Sequence, residues 1–286
     1  MNKITIAIIA ATLTCSAAAQ DFTNHEVSVN IGGGVSSFQT RPTVGKNLGN
    51  WASNAGLGYS YFFNQSWAIG TGINFAFYKG GISIDNHDWQ QAAINKETGH
   101  AFDFLVNSSR YKETQRVTMV TIPLMAQYQY QYEEKIPLYA AFGFKLGIPV
   151  SAKNQSKGNF TTKGYYPNLN VTYEDLSDYG FVTNQPFPKN KTDIGLKTAF
   201  MMSAELGVKY PLSEKFSLYA GIYVDYGLNN MLKGKSAGNL VGYQTGTPSQ
   251  FVYNAAANSY ARKMAPFAGG VTVRLSFGTD WKSSIQ

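Results

Sequence analysis

Apolar residues occupy every second position over most of this chain. From Trp67 to Phe77, the residues Trp67, Ile69, Thr71, Ile73, Phe75 and Phe77 alternate with Ala68, Gly70, Gly72, Asn74 and Ala76. That is the period of a β-strand, whose successive side chains point to opposite faces. A soluble sandwich also alternates, but its exposed face is normally rich in charge. Here the second face is mostly Gly, Ala, Ser and Asn. The combination predicts a barrel with large residues against lipid and small or polar ones packed into a narrow interior.

Eight such strands are predicted: Val27 to Phe38, Trp51 to Phe62, Trp67 to Lys79, Val117 to Tyr130, Pro137 to Ala152, Lys197 to Tyr210, Phe216 to Met231 and Ala265 to Gly278. Each exceeds the roughly 9–11 residues that a tilted membrane strand needs. The turns after the second, fourth and sixth strands are short. The connections after the first, third, fifth and seventh are long, the last three covering residues 80–116, 153–196 and 232–264. This parity fits an all-β, eight-stranded antiparallel up-and-down transmembrane barrel, with long loops extracellular and both termini periplasmic. A soluble eight-stranded barrel such as a lipocalin shares the count, but not easily the parity or the outward aromatics.

The N-terminus reads as an export signal. Lys3 supplies the charge, Ile4 to Leu13 an apolar core, and Ala17-Ala18-Ala19 a cleavage site, so residues 1–19 are expected to be removed. The apolar stretch is too short to span a bilayer as a helix. Residues 20–286 then form one barrel domain, located in the outer membrane of a Gram-negative bacterium. Cys15 falls within the signal, and Thr12 and Thr14 make a poor lipobox around it. The mature chain would lack cysteine, which removes disulfides and thiol chemistry. Composition agrees: Gly 28, Tyr 19 and Phe 18 with only 14% charged residues suit short strands and aromatic girdles. The net charge of +7 would ordinarily raise nucleic acid as a partner. Export argues against it and favours anionic outer-membrane lipids, including lipopolysaccharide, or surface glycans, with a basic surface that is merely scattered as the plain alternative.

The outward phase of the large residues fixes what points inward. Lys145, Glu205, Lys209, Asp225 and Arg274 all take the inward phase on the last four strands. A barrel of eight strands is only wide enough for side chains to fill it. The expectation is therefore a lumen charge network that plugs the barrel, with a gated ion path as the sharper alternative.

Four segments carry a resemblance to a known family: Thr121-Ile122-Pro123-Leu124 opening the fourth strand, Tyr139 to Gly147, Tyr223 to Asn230, and Gly269 to Leu275. Through them the chain resembles the eight-stranded OmpA/OmpX-type barrels, and more closely the PorT-like outer-membrane β-barrel family. The resemblance implies the fold and the assembly machinery of the outer membrane as a partner. Some members of that family assist secretion, but no residue here singles out that role. The peptidoglycan-binding domain of full OmpA-type proteins is not matched.

Chemistry is sparse. Asp85, His87 and Asp88 with Ser83, Ser108 or Ser109 could assemble a hydrolase site, but polar loops produce such sets by chance. His87, Asp88 and His100 lack a metal-ligand spacing. Glu174, Asp175 and Asp178 form a weak loop cation candidate, since oxygen clusters in exported loops do bind calcium. No catalytic residue, resident metal or cofactor is expected. The function expected is non-catalytic: surface binding or adhesion through the long loops to an extracellular ligand, or an envelope structural role. The alternatives are a secretion accessory factor, a small pore, or a rim hydrolase.

Overall fold

The computed structural model describes residues 25–130, 136–189, 192–213, 215–234, 238–246 and 250–278. The expected signal peptide lies outside the described residues. Eight long strands form the barrel: β1 (His25–Phe38), β2 (Asn50–Phe62), β3 (Trp67–Ile94), β4 (Ala101–Tyr130), β5 (Leu138–Tyr166), β6 (Ala199–Pro211), β7 (Phe216–Gly227) and β8 (Pro266–Gly278). Each pairs antiparallel with the next, and β1 pairs with β8 from Glu26↔Gly278 to Phe38↔Pro266, which closes the ring. The fold is the expected eight-stranded up-and-down barrel.

Local chemistry explains where the strands stop. Asn64 Oδ1 accepts from the backbone N–H groups of Ser66 and Trp67, at 2.9 Å each, and closes the β2–β3 turn. The seventh strand, expected to run to Met231, ends at Gly227. Asn229 accepts from the Phe200 N–H and donates to the Thr198 carbonyl, while Asn230 accepts from the N–H groups of Leu232 and Met264. These side chains replace ladder bonds and end the strand.

The lower part of the barrel is inside out. Ile31, Ile222 and Val271 are 63%, 61% and 62% exposed, in a continuous outward apolar band. Its lower border carries an aromatic girdle that includes Trp67 against Tyr128 and Phe216 against Phe277. The interior is tight enough that the Tyr139 ring lies on bare backbone. A Cβ at Gly207 would sit 2.8 Å from that ring, and one at Gly221 would sit 2.7 Å from its hydroxyl.

The largest correction concerns length. Residues 80–116 are not a loop: β3 and β4 run on as a hairpin that turns only between Ile94 and Ala101. The next strand, β5, likewise overshoots its expected end at Ala152 to reach Tyr166. Along these extensions the apolar phase inverts. Phe75 and Phe77 point outward, whereas Tyr78, Ile82 and Ile84 above them are buried. On β4, Leu124 and Ile122 face out, while Met119, Val117 and Tyr111 are buried. The Thr121–Leu124 segment therefore lies mid-strand and does not open β4. An exterior that prefers water has replaced one that prefers lipid, and the overshoot forms a head with its own core.

Two bulges in the β4–β5 pair accompany the change. At the lower one the pairing steps from Thr118↔Ser151 to Met119↔Pro149, leaving Val150 as the extra residue. A proline inside a sheet is tolerated at such a bulge because it has no N–H to give to the ladder. At the upper one the pairing shifts between Ser109 and Lys112, with Arg110 at φ +51° and Gly158 at φ +131°. A Cβ at Gly158 would meet the Arg110 carbonyl oxygen at 2.9 Å, so only glycine fits there.

The two halves are expected to answer oppositely to the same substitution. Ile222→Arg, in mid-band, should lose about 2–4 kcal/mol of stability in lipid vesicles, read as a lower urea midpoint. Thr114→Arg, outward on the head extension, should leave the midpoint unchanged. Equal losses at both positions would show that the band boundary is misplaced.

Candidate functional site: a filled lumen beneath a capped mouth

All five residues assigned to the lumen from strand phase lie on the inward face, but their partners differ from the expected ones. Lys145 Nζ reaches Asp225 Oδ1 at 2.8 Å, and Ser203 Oγ donates to the same oxygen at 2.7 Å. Lys209 pairs at 2.7 Å with Glu26, and Tyr219 donates to the other oxygen of Glu26 at 2.8 Å. Glu205 is held by the Tyr139 hydroxyl at 2.5 Å. Arg274 has no carboxylate partner among the described residues: it donates to Gln127 Oε1 at 2.7 Å and lies 4.1 Å from the centre of the Tyr219 ring. The expected arrangement of three bases against Glu205 and Asp225 is corrected accordingly. Glu26 lies outside the strand expected from Val27, because β1 begins two residues earlier, at His25. The same alternation that turns Val27, Val29 and Ile31 outward turns Glu26 inward.

A cavity of about 90 Å³ remains within the barrel, lined by Asn30, Asn54, Asn74, Lys145, Glu205 and Arg274 among others. Below it, toward the short turns, Tyr139 and Tyr219 meet edge to face at 5.1 Å, and Gln129 donates to the Tyr219 hydroxyl at 3.0 Å. The lumen is therefore filled by paired charge, tyrosine rings and amides.

The mouth is covered. The connection between β7 and β8 contributes a hairpin, Val241–Gln244 against Gln250–Tyr253, and a helical turn, Ala256–Ser259. Trp89 Nε1 donates to the Val241 carbonyl at 3.0 Å, and Gln91 exchanges hydrogen bonds with the Tyr243 backbone. Phe102, Phe104, Phe160, Phe181 and Phe187 on or beside the extended strands pack with Tyr243 and Phe251. Glu113, fully buried, fastens the connection. Its carboxylate accepts from the N–H groups of Ala256 and Ala257 at the start of the helical turn, from Tyr111 Oη and from Gln115 Nε2. Burial, followed by the neighbouring Glu113 charge, pushes the Tyr111 hydroxyl well above its ordinary pKa and keeps it a donor.

The outward band, the closed ring and the filled lumen describe a barrel made for a bilayer, and a family model for the outer membrane protein beta-barrel domain matches residues 18–233. The chain belongs to that family. The match covers β1 to β7, and β8 lies beyond it. The protein is accordingly a bacterial outer-membrane β-barrel.

Solved structures with a similar course include Neisserial surface protein A, at 9% identity and a TM-score of 0.37, covering 91% of this chain and 99% of that one. OprG from Pseudomonas aeruginosa is 10% identical with a TM-score of 0.35, covering 91% and 98%. Ail of Yersinia pestis, solved with the heparin analogue sucrose octasulfate, is 12% identical with a TM-score of 0.30, covering 89% and 99%. No curated protein matches the sequence.

The loop cation candidate is not assembled. Glu174 is drawn onto Lys163 at 2.6 Å, Asp175 accepts from Thr183 Oγ1 at 2.6 Å, and Asp178 sits in the turn Ser177–Tyr179. Among the described residues no three His, Cys, Asp or Glu side chains group to hold a metal. Of the hydrolase set, the register places His87 directly opposite Ser108, but among the described residues no hydrogen bond joins His87 to a serine or an aspartate. Asp88 accepts from Asn107, while the His87 ring packs at 5.5 Å on Trp89 and 5.3 Å on Tyr260. Partial burial lowers the His87 pKa, against a smaller upward pull from Asp88.

Removing one partner of a buried pair leaves the other charge unpaired. Asp225→Asn should therefore destabilise the barrel by about 3–5 kcal/mol, measured by urea unfolding in lipid. Glu205→Gln, whose partner is a tyrosine, should cost clearly less. The reverse ranking would mean that Glu205, and not Asp225, anchors the lumen. In the head, the lowered His87 pKa means that protonation is resisted in the folded state, so stability is full above the unfolded value and falls as pH drops through about 6.5. An NMR titration should place His87 below that value.

Proposed function

We propose that the protein works non-catalytically at the cell surface, its sealed barrel acting as a mount for the folded head. The observation that carries this reading is the head itself. Three barrel strands overshoot the apolar band, and their inner face is closed by an aromatic core instead of being left open as a channel. In this reading the head is extracellular, the short turns and both termini are periplasmic, residues 1–19 are cleaved, and residues 20–286 are one barrel domain.

The tip of the head offers a binding surface. A cleft of about 260 Å³ is lined by His100, Tyr166, Leu169, Tyr173, Leu176 and Tyr179, among others. Leu169 and Leu176 are well exposed there. The cleft is braced by Tyr179 Oη donating to Glu97 at 2.8 Å and by Asn95 Nδ2 donating to Tyr166 Oη at 3.1 Å. An apolar concavity with a few fixed polar groups suits an extracellular ligand. The PorT-like resemblance keeps secretion assistance as the second reading, favoured by the same closed lumen, which suits an accessory factor better than a conduit. A pore would need a path that the lumen network does not leave, and a rim hydrolase would need Ser/His/Asp hydrogen bonds, which the described residues do not make.

The test is a strain lacking the protein, complemented with wild type or with Tyr173→Ser/Leu176→Ser, and scored for attachment, envelope leakage and secreted cargo. Attachment should fail in the deletion and in the cleft variant while leakage stays normal. Loss of cargo alone would support the accessory role instead. A tag near Asn170 or Asn239 should be reached by antibody on intact cells, and one near Glu214 should not. In planar bilayers the wild type should show little conductance, and a large steady current would restore the pore.

A further inference from the structure

The outward face of the head carries a basic grid that none of the preceding roles uses. Lys79 pairs directly opposite Arg116, and Arg116 directly opposite Lys153, so three adjacent strands place cations in one row. Directly opposed residues point to the same face of a sheet. Four residues higher the row is Ser83, Lys112 and Lys157, extended by Lys46 opposite Ser83. Neighbouring strands lie about 4.8 Å apart and residues rise about 3.3 Å, so the two rows are roughly 13 Å apart.

Its charges are uncommitted and its height is distinctive. None of the six cations is in an ion pair among the described residues. Arg116, Lys153, Lys112, Lys157 and Lys46 are exposed, and Lys79 is half-exposed. The acidic group in register is Asp193, opposite Lys153, while Glu113 is turned inward and buried. The row begins two residues above Phe77, the last large residue of the outward apolar band on β3, and it marks where the apolar phase inverts. A ligand there has acyl chains along the band and its charge at the grid. Like-charged side chains in direct opposition are destabilising in water, so the arrangement favours an anion between them.

We infer that this grid binds the phosphorylated head group of a lipid in the leaflet at the head end, with Lys79, Arg116 and Lys153 as the inner row and Lys46, Lys112 and Lys157 reaching a second phosphate. The continuity with the lipid-facing band selects a membrane lipid over free phosphate. That this leaflet is the outer one rests on the orientation proposed above. The binding experiment does not depend on orientation, so tag accessibility and lipid binding fail separately.

Purified protein in detergent is titrated with a bisphosphorylated lipid A and with the same lipid dephosphorylated, and bound lipid is counted by native mass spectrometry. Binding should require the phosphates, and Lys79→Gln/Arg116→Gln/Lys153→Gln should weaken it roughly 100-fold, given what each basic residue contributes beside an anionic surface. The charge-preserving variant Lys79→Arg/Arg116→Lys/Lys153→Arg should keep it, as should Lys96→Gln/Lys233→Gln/Lys263→Gln away from the grid. Folding is checked by the faster migration of the unboiled barrel. If the triple variant does not fold, Arg116→Gln and the salt dependence of wild-type binding carry the same test. Equal binding of the dephosphorylated lipid, or an unaffected triple variant, would overturn the inference. So would inorganic phosphate displacing the lipid at equal concentration, which would assign the grid to a soluble anion.

Discussion

Every structural choice below the head follows from backbone hydrogen bonding in a medium without water. A strand in hydrocarbon cannot leave N–H or C=O groups unpaired, since each costs several kcal/mol. Closing β1 onto β8 removes the two edges an open sheet would have. Closure at eight strands sets a narrow interior, and the narrow interior in turn selects glycine wherever a ring must lie on the wall. Tyr139 over Gly207 and Gly221 is the clearest case. The lumen charges follow from the same geometry. They sit in a space too small for bulk water, so each is held by an opposite charge, a tyrosine hydroxyl or an amide.

The outer surface obeys a second constraint, the change of solvent along the strands. Below Phe77 the favourable exterior is apolar, and above Lys79 it is polar, although β3 runs through both without a break. The chain meets this by inverting its apolar phase. Bulges at Val150 and around Arg110 then re-aim the strands so that the head can curl over its own core. The aromatic residues of the head thus serve the hydrophobic effect in its ordinary aqueous form, while identical residue types in the band below have lipid as their partner.

The band was legible in the sequence because its signal is redundant: eight strands repeat one phase, and turn lengths alternate with them. The head was not, because its phase is reversed and interrupted. Gly80 and Gly81 follow Lys79, then Ile82 and Ile84 continue the alternation on the opposite face, so a reading tuned to outward apolar residues stops at Lys79. Inward placement of Lys145, Lys209, Asp225, Glu205 and Arg274 followed from parity alone. Their partners did not, because pairing depends on stagger between strands, which alternation does not encode. The Lys209–Glu26 pair joins residues 183 positions apart. Glu113 was unreadable for a related reason: its partners are backbone N–H groups of Ala256 and Ala257, which no side-chain motif announces.

Under the surface-binding role proposed above, Glu113 also accounts for how the head is held ready for a partner. A buried carboxylate without a cation is tolerable only when its lone pairs are filled, and here two backbone N–H groups, a tyrosine and a glutamine fill them. The start of a helical turn is a favourable place for that charge, because its N–H groups are otherwise unpaired. The β7–β8 connection is thereby docked before any ligand arrives. Ordering a long connection at the moment of binding subtracts from affinity, so a pre-docked one leaves more of the contact energy for the partner. A conduit would gain nothing from such fastening across its own mouth, whereas a surface that has to hold one shape over a sealed barrel depends on it.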